Sequence, residues 1–591
     1  MIAVGHFEEQ EIDLSGAPWS RRGSYMTLSM NTDTRDHPGR DHDIEPGLYL
    51  CDVSGYRLWR WNGVFRVLGL VGDDTVQPQV RSATPSLLVL SAGDGTIEVT
   101  WDGSDTMRFR VRGVGMRLVQ SVIDPLDSAL AFPMNDNAWR LLMGEDTHFV
   151  ATRLGGTLTV DAPRVRTGAS DTDDRKVVDF RPDVHGVGEF AVTQYETGYA
   201  ARAFWLPFDE ARAAVALELA GWADGFPRIS QDLAPTSDAA AALLWSNTVG
   251  PRGILSRPGV LMSKNWMHAI WSWDNCFVSL GVAGGDPQLA WDQFMLPFDL
   301  QAPDGMLADV LHDNGRLWGF CKPPVHGWTL RGLLAAGAVP EGGLAEVYPR
   351  LVAWTEWWLT YRDDDGDGLV EYSHGNDSGQ DNSTAFDATG FPAAGPDLSA
   401  FLVVQMDVLA EVATQLGLDE EAARWATRAD HQLGLLLSLL WDGEHFVVRR
   451  GGDGVSAHAG ASQLFLLPLM LGERLPVRVR ERVLADVAAN LTPYGVASES
   501  PESALYEADG YWRGPIWAPT TYLVIDGLRA CGQRQLADDI GRRFLDTVRR
   551  GGFAENFEAT TGRPLRDRGY SWSAAVFLML ARELESEEST P

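Results

Sequence analysis

Basic residues are scarce in this 591-residue chain. Lys and Arg number 49 against 81 Asp and Glu, a formal charge of −32 at pH 7. Nucleic acid and anionic membrane surfaces are recruited by basic patches, so neither is an expected partner. Cysteine is scarcer still. The four, Cys51, Cys276, Cys321 and Cys531, are scattered, with no C-x-x-C pair and no Cys/His zinc spacing. Free, buried thiols in a reducing compartment are expected. No stretch is long and apolar enough to span a bilayer. The first residues, M-I-A-V-G-H-F-E-E-Q, lack the basic and apolar regions of a signal peptide, so a cytoplasmic location is expected. G-x-S-x-G is missing, which argues against an α/β-hydrolase. Strings such as G-G-D-G-V at 451–455 lack the lysine of a phosphate loop.

The length predicts about two to four domains, and the patterning changes near residue 230. Before it, short runs alternate with period two: 47–53, 56–61, 96–101, 107–113 and 157–161, separated by turns such as W-N-G and A-G-D-G. This predicts an antiparallel β-sandwich over 1–225, followed by a linker at 226–236. From 237 to 585, apolar spacing predicts twelve helical segments joined by alternating short and long loops. Six α-hairpins closed into an (α/α)6 barrel fit this pattern, with an open solenoid as the alternative. Residues 586–591 read as a tail. The long loops, 299–324, 362–397, 491–514 and 551–569, hold most of the unusual polar and aromatic residues, as functional loops do. Twenty-two tryptophans supply core mass and potential platforms for sugar rings.

The densest of these loops reads E-Y-S-H-G-N-D-S-G-Q-D-N-S-T-A-F-D from Glu371 to Asp387. Its four carboxylates, Glu371, Asp377, Asp381 and Asp387, stand among Gly, Ser and Asn. A second acidic loop, E-N-F-E-A-T-T-G, spans 555–562. Glycoside hydrolysis needs two carboxyl groups facing one bond, one protonated and one ionised.

Together with W-S-W-D-N-C-F (271–277), Y-R-D-D-D-G-D-G-L-V-E-Y (361–372), Y-W-R-G-P-I-W (511–517) and Y-S-W-S-A-A (570–575), these loops resemble glycoside hydrolase family 63 over about 240–585. That family includes processing α-glucosidases and glucosyl- or mannosylglycerate hydrolases, and family 37 trehalases are similar. The resemblance implies an (α/α)6 barrel, often with an N-terminal β-sandwich, and an inverting mechanism. It implies that Asp381 is the general acid and Glu555 the general base, with their carboxyl groups about 6.5–9.5 Å apart. The acid then needs a raised pKa, from burial or from a neighbour such as Asp377. Glu558 is the rival base. The plain alternative for Asp381 is an N-cap of a helix beginning at Asn382.

The same resemblance gives Asp274, after Trp273, a contact with hydroxyls of the sugar being released, with a helix N-terminal acid as the plain alternative, and brings Arg513 to that site. Gln380 stands where trehalases carry Trp, which argues against trehalase activity. The resemblance places Lys322 and His326, in C-K-P-P-V-H-G-W, at the pocket rim, with a capping or packing role as the alternative. Trp512 and Trp517 are stacking walls or core, and Asp387 completes the expected binding set. Asp363, Asp365 and Asp367 with Gly368 resemble half an EF-hand, but His374 occupies the position of its last ligand. Calcium in another geometry, helped by Glu371, and a charged turn are both open. The inverting chemistry itself needs no cofactor. The expected activity is release of a terminal α-glucosyl residue from a small carbohydrate. Hydrolysis of glucosylglycerate or mannosylglycerate and silent sugar binding are the alternatives, and a homo-oligomer is compatible with each.

Overall fold

The computed structural model describes residues 11–31, 45–55, 62–121, 130–143, 148–167, 170–173, 175–227, 229–230 and 232–588. The strand expected at 56–61 and the last residues of the expected tail lie outside them.

Period-two sequence becomes two facing antiparallel sheets. In Gly63–Val71, buried and half-buried residues alternate, so one side of the strand packs inward. One sheet has seven strands. The other has eight and runs from Leu130–Asn135 at one edge to Gln79–Thr84 at the other. Aromatic pairs cross between them: Phe65 meets Phe149 with ring centroids 6.2 Å apart, and Phe180 meets Phe190 at 4.6 Å. This is the expected β-sandwich.

Thirteen longer helical elements follow among the described residues. The first, α1 (Phe208–Ala223), falls in a stretch expected to be wholly β. Its run A-R-A-A-V-A-L-E-L-A is too rich in alanine to show a clear apolar stripe. It packs on strand Gly95–Trp101 and on α2 (Ala234–Asn247). The rest are α3 (Asp274–Val282), α4 (Pro287–Asp299), α5 (His326–Ala335), α6 (Gly343–Tyr361), α7 (Pro396–Gln415), α8 (Asp419–Leu439), a 3₁₀ helix (Gln463–Arg474), α9 (Val477–Asn490), α10 (Ala518–Ala530), α11 (Arg534–Gly551) and α12 (Ser571–Glu588). Helices α3, α5, α7, the 3₁₀ helix, α10 and α12 form an inner ring. Each touches the next, and α12 returns to touch α3. The others lie outside. The ring therefore closes, which an open solenoid does not.

Alternation of inner and outer helices has a geometric consequence. All inner helices run the same way, so the six loops that enter them open at one end of the barrel. Five of them, leading into α3, α5, α7, α10 and α12, hold the candidate site. The β-sandwich is fastened beside the barrel by buried polar contacts. Lys264 Nζ donates to Ser24 O (2.6 Å), Ser20 Oγ (3.1 Å) and Arg21 O (3.2 Å). The Gly55 amide donates to Asp313 Oδ1 at 2.9 Å. Much of the tryptophan is core: Trp19, Trp101, Trp245, Trp354, Trp358 and Trp425 are fully buried. No helix among the described residues is long and apolar enough to cross a membrane.

Candidate active site

The acid-rich loop before α7 is folded by its own polar groups. Asp377 is buried and accepts from the amides of Cys321 (3.0 Å), Ser373 (2.8 Å) and His374 (3.2 Å) and from Arg362 Nη1 (3.1 Å). It is therefore the loop's anchor, not the acid that perturbs Asp381. Two glycines let the loop close on itself. A Cβ at Gly375 would meet Asp381 O at 1.9 Å, and one at Gly379 (φ +70°) would meet the Trp273 ring at 2.5 Å. Asp381 then sits in a turn. The helix that follows begins at Thr384 and is capped by Ser383, so Asp381 is no N-cap. Asn382 ties this loop to the one before α10: its Nδ2 donates to Gly510 O at 3.0 Å, and its Oδ1 accepts from Trp512 N at 2.9 Å.

Around Asp381 the barrel mouth gathers three carboxyl groups on one ammonium. Lys322 Nζ lies 3.7 Å from Asp381 Oδ1 and 3.4 Å from Asp309 Oδ1, and it donates to Asn376 O at 2.7 Å. Burial works to lower Lys322, but Asp381, Asp309 and Asp274 outweigh it and keep the amine charged. One ammonium cannot neutralise three carboxylates. Burial, only partly offset by Lys322, raises Asp381. It pushes Asp309 up to about 6 and Asp274 up to about 8.

Glu555 enters from the loop before α12 and is 5% exposed. Burial and then Asp567 push it up to about 8. Arg566, the Asp567 backbone and the Tyr511 hydroxyl pull the other way. Tyr511 and Arg566 are the two non-glycine residues with positive φ among those described, at 65° and 60°. Such backbone costs about 1–3 kcal/mol per residue and tends to collect at functional sites. Here it brings the Tyr511 hydroxyl to Glu555 and the Arg566 charge near it. Glu558 behaves differently. It accepts from Tyr506 Oη, Thr560 N and Thr560 Oγ1, each at 2.9 Å, and from Thr561 Oγ1. Burial works to raise it, but these donors prevail and hold it below its ordinary value.

The other expected residues divide. Trp273, Asp274, Lys322 and Gln380 come together with Asp381 at the mouth, and Gln380 Oε1 is buried there without a hydrogen-bond partner. Trp512 and Trp517 are buried and stacked at 3.9 Å, with Trp512 6.3 Å from Trp273. Arg513 is turned outward, paired bidentately with half-exposed Asp387 (3.0 and 2.9 Å) and with Glu507 (2.8 Å). These two residues join neighbouring loops. His326 is a core histidine. It is fully buried between Phe298 and Trp354, and burial lowers it to about 3. Sequence reasoning passed over Asp309, Tyr511, Arg566 and Asn382. Tyr511 stood inside a quoted motif, but its backbone conformation leaves no mark in residue identity.

Among the described residues, Asp363, Asp365 and Asp367 each bring a carboxylate oxygen within 4.8 Å of the others. Asp363 Oδ1 is buried with no hydrogen-bond partner. Glu371 lies beside them, pushed up to about 7 by burial and by Asp365, Asp367 and Asp364. An all-oxygen donor set of this kind fits a hard cation such as calcium.

These raised carboxyl groups set a sign for stability. Each binds its proton more tightly folded than unfolded, so each favours the fold at low pH. That advantage is lost as pH climbs through the folded value. With Asp309 near 6, Glu371 near 7 and Asp274 and Glu555 near 8, the melting temperature should fall between about pH 4.5 and 8. Asp274→Asn should flatten that slope. A melting curve series across this window, with the slope unchanged in the variant, would contradict the assignment.

A model of the mannosylglycerate hydrolase MGH1-like glycoside hydrolase domain matches residues 267–573. A mannosylglycerate hydrolase of Rubrobacter radiotolerans is 27% identical over 422 residues, covering 56% of this chain and 94% of the relative. The structure of a family 63 mannosylglycerate hydrolase from Thermus thermophilus in complex with glucose is 26% identical, with a TM-score of 0.51. It covers 58% of this chain and 99% of that one. A bacterial glucoamylase complexed with acarbose, at 12% identity, shares the fold over 98% of this chain and 95% of its own, with a TM-score of 0.62.

Proposed function

Because the chain belongs to the mannosylglycerate hydrolase MGH1-like glycoside hydrolases, we propose that it is an inverting, exo-acting α-glucosidase in which Asp381 protonates the leaving oxygen and Glu555 activates water. The observation that carries this is the pair itself. Two carboxyl groups, both raised by burial, stand on the loops entering α7 and α12 at one mouth of the barrel. Asp274 and Asp309, beside Lys322, are placed to grip hydroxyls of the terminal sugar. The hydrogen bonds of Glu558 leave it poorly placed to take a proton from water. Glucose is the proposed sugar, since the Thermus thermophilus relative was solved with it.

A neutral leaving group is favoured over glycerate by the state of the cations. Lys322 is shared among carboxylates, Arg566 Nη1 pairs with Asp509 at 2.6 Å, and Arg513 pairs with Asp387 and Glu507. Among the described residues at the mouth, each of these cations already has a carboxylate partner. Hydrolysis of glucosylglycerate or mannosylglycerate is the second reading, and the relatives' activities favour it. Proton NMR with kojibiose, nigerose, maltose, isomaltose, trehalose, sucrose and both glycerate glycosides separates them. The expected result is early β-glucose from a neutral disaccharide. Turnover of the glycerates alone would select the second reading, and early α-anomer of the sugar whose glycosidic bond is cleaved would overturn inversion.

We also infer that Asp363, Asp365, Asp367 and Glu371 hold a structural calcium ion. Binding to the folded state raises the melting temperature by mass action, about 2.7 kcal/mol at a hundredfold excess over Kd. Calcium should raise the melting temperature of the native chain and leave Asp365→Ala unmoved. Equal melting of the native chain with calcium and with EDTA would remove the site.

A further inference from the structure

A cavity of about 310 Å³ opens in the eight-stranded sheet, and its walls come from residues 134–205 alone, with none from the barrel loops. The local sequence explains why it exists. The pairing of strands Leu130–Asn135 and Ala138–Leu142 slips register between Pro133 and Asn135. The Asn137 amide then folds back on Asn135 Oδ1 at 2.8 Å, making a tight polar turn at the rim. On the adjoining strands, Ala138, Thr152 and Ala191 are successive cross-strand partners and share one face. The two alanines leave a hollow over Thr152. Thr152 is buried, and its Oγ1 has no hydrogen-bond partner. A buried hydroxyl left unpaired costs about 1–3 kcal/mol, so this one calls for a water or a ligand.

The walls indicate which ligand. Tyr199 and Trp205 supply aromatic rings, and Asn135 and Asp136 supply planar polar groups. Trp205 is held rigid by guanidinium groups of Arg202 (5.1 Å) and Arg108 (5.5 Å) near its ring. Arg202 is neutralised by Asp102 at 3.0 Å and Asp105 at 2.5 Å. Arg202, the cation in the lining, therefore has little charge to spare for an anion, in a chain that already carries −32. A volume of this size takes a small molecule. Rings for C–H faces, with amide, carboxylate and hydroxyl groups for paired hydroxyls, suit a neutral polyol. We propose that this hollow is a second carbohydrate-binding site, for one or two neutral hexose units, independent of the barrel mouth.

The test uses the full chain carrying Glu555→Gln, titrated with methyl α-D-glucopyranoside and with maltotriose and followed by saturation-transfer NMR. Two binding components are expected. Ala138→Phe, which fills the hollow from its floor, should weaken one of them by at least about tenfold and spare the other. Tyr199→Ala, at the wall, should weaken the same component. In the otherwise native chain neither substitution should change hydrolysis of a small glucoside. A single component, two components untouched by both substitutions, or equal loss of both would overturn the proposal. Failure of the catalytic assignment would show separately, as continued turnover by the Glu555→Gln chain.

Discussion

Asp381→Asn and Glu555→Gln should each lower kcat by about 10²–10⁴-fold and leave sugar binding largely intact. The double variant should be little worse than the poorer single one, because the two groups act on one bond and their losses are not additive. The amides keep shape and hydrogen bonding but can neither give nor take the proton, so the effect belongs on kcat. The asymmetry between the two is informative. A substrate with an acidic leaving group, such as 4-nitrophenyl α-glucoside, should rescue Asp381→Asn, since its leaving oxygen needs little protonation. It should not rescue Glu555→Gln. Azide should rescue Glu555→Gln, entering on the face that water uses and giving a β-glucosyl azide. Glu558→Gln is the control. Four donors hold that carboxylate in place, so its loss should lower stability while sparing the azide-dependent behaviour of position 555. Turnover persisting in both single variants would remove the mechanism.

What the residues disclosed in advance, and what they did not, follows from physics. Helix α11 (Arg534–Gly551) has charged and apolar residues on opposite faces, and its existence is plain from spacing. The alanine-rich α1 has no such contrast and was hidden. The barrel was legible in part: an alternation of short and long loops fits a ring and an open solenoid alike, and the contact of α12 with α3 decides between them. The acids were legible because carboxylates among Gly, Ser and Asn are poor core material. Side-chain direction was not legible. Asp377 and Asp381 differ by four positions and both are acids, yet one is spent on four donors from its own loop and the loop before α5, and the other faces Lys322. The ion pair of Arg513 was equally hidden, because its partner Asp387 lies 126 positions away in sequence. His326 shows the same limit: a histidine that identity alone leaves between pocket rim and core, enclosed by Phe298 and Trp354.

Tyr511→Phe should move the acidic limb of the pH profile upward, and this tests how the base is tuned. Glu555 must be ionised to act, yet burial and Asp567 push it up to about 8. Below that value the ionised fraction falls about tenfold per pH unit, so kcat/KM should climb with pH through neutrality instead of levelling off near the ordinary glutamate value. Asp381 must stay protonated, and its own raised pKa keeps it so for longer as pH rises. The two limbs belong to the coupled pair. Within that pair the sign of the Tyr511 effect is fixed. Its hydroxyl is held well above its usual range, by burial first and by Glu555 next, so it remains a donor. A donor to the ionised form stabilises it, and removing the hydroxyl raises Glu555 further. A shift of one pH unit corresponds to about 1.4 kcal/mol and an approximately tenfold loss at neutral pH, recovered on the alkaline side. A merely structural role for Tyr511 would lower the whole profile without moving it. If Glu558 were the base instead, the limb would lie below the ordinary glutamate value, where its donors hold it, and Tyr511→Phe would leave that limb in place.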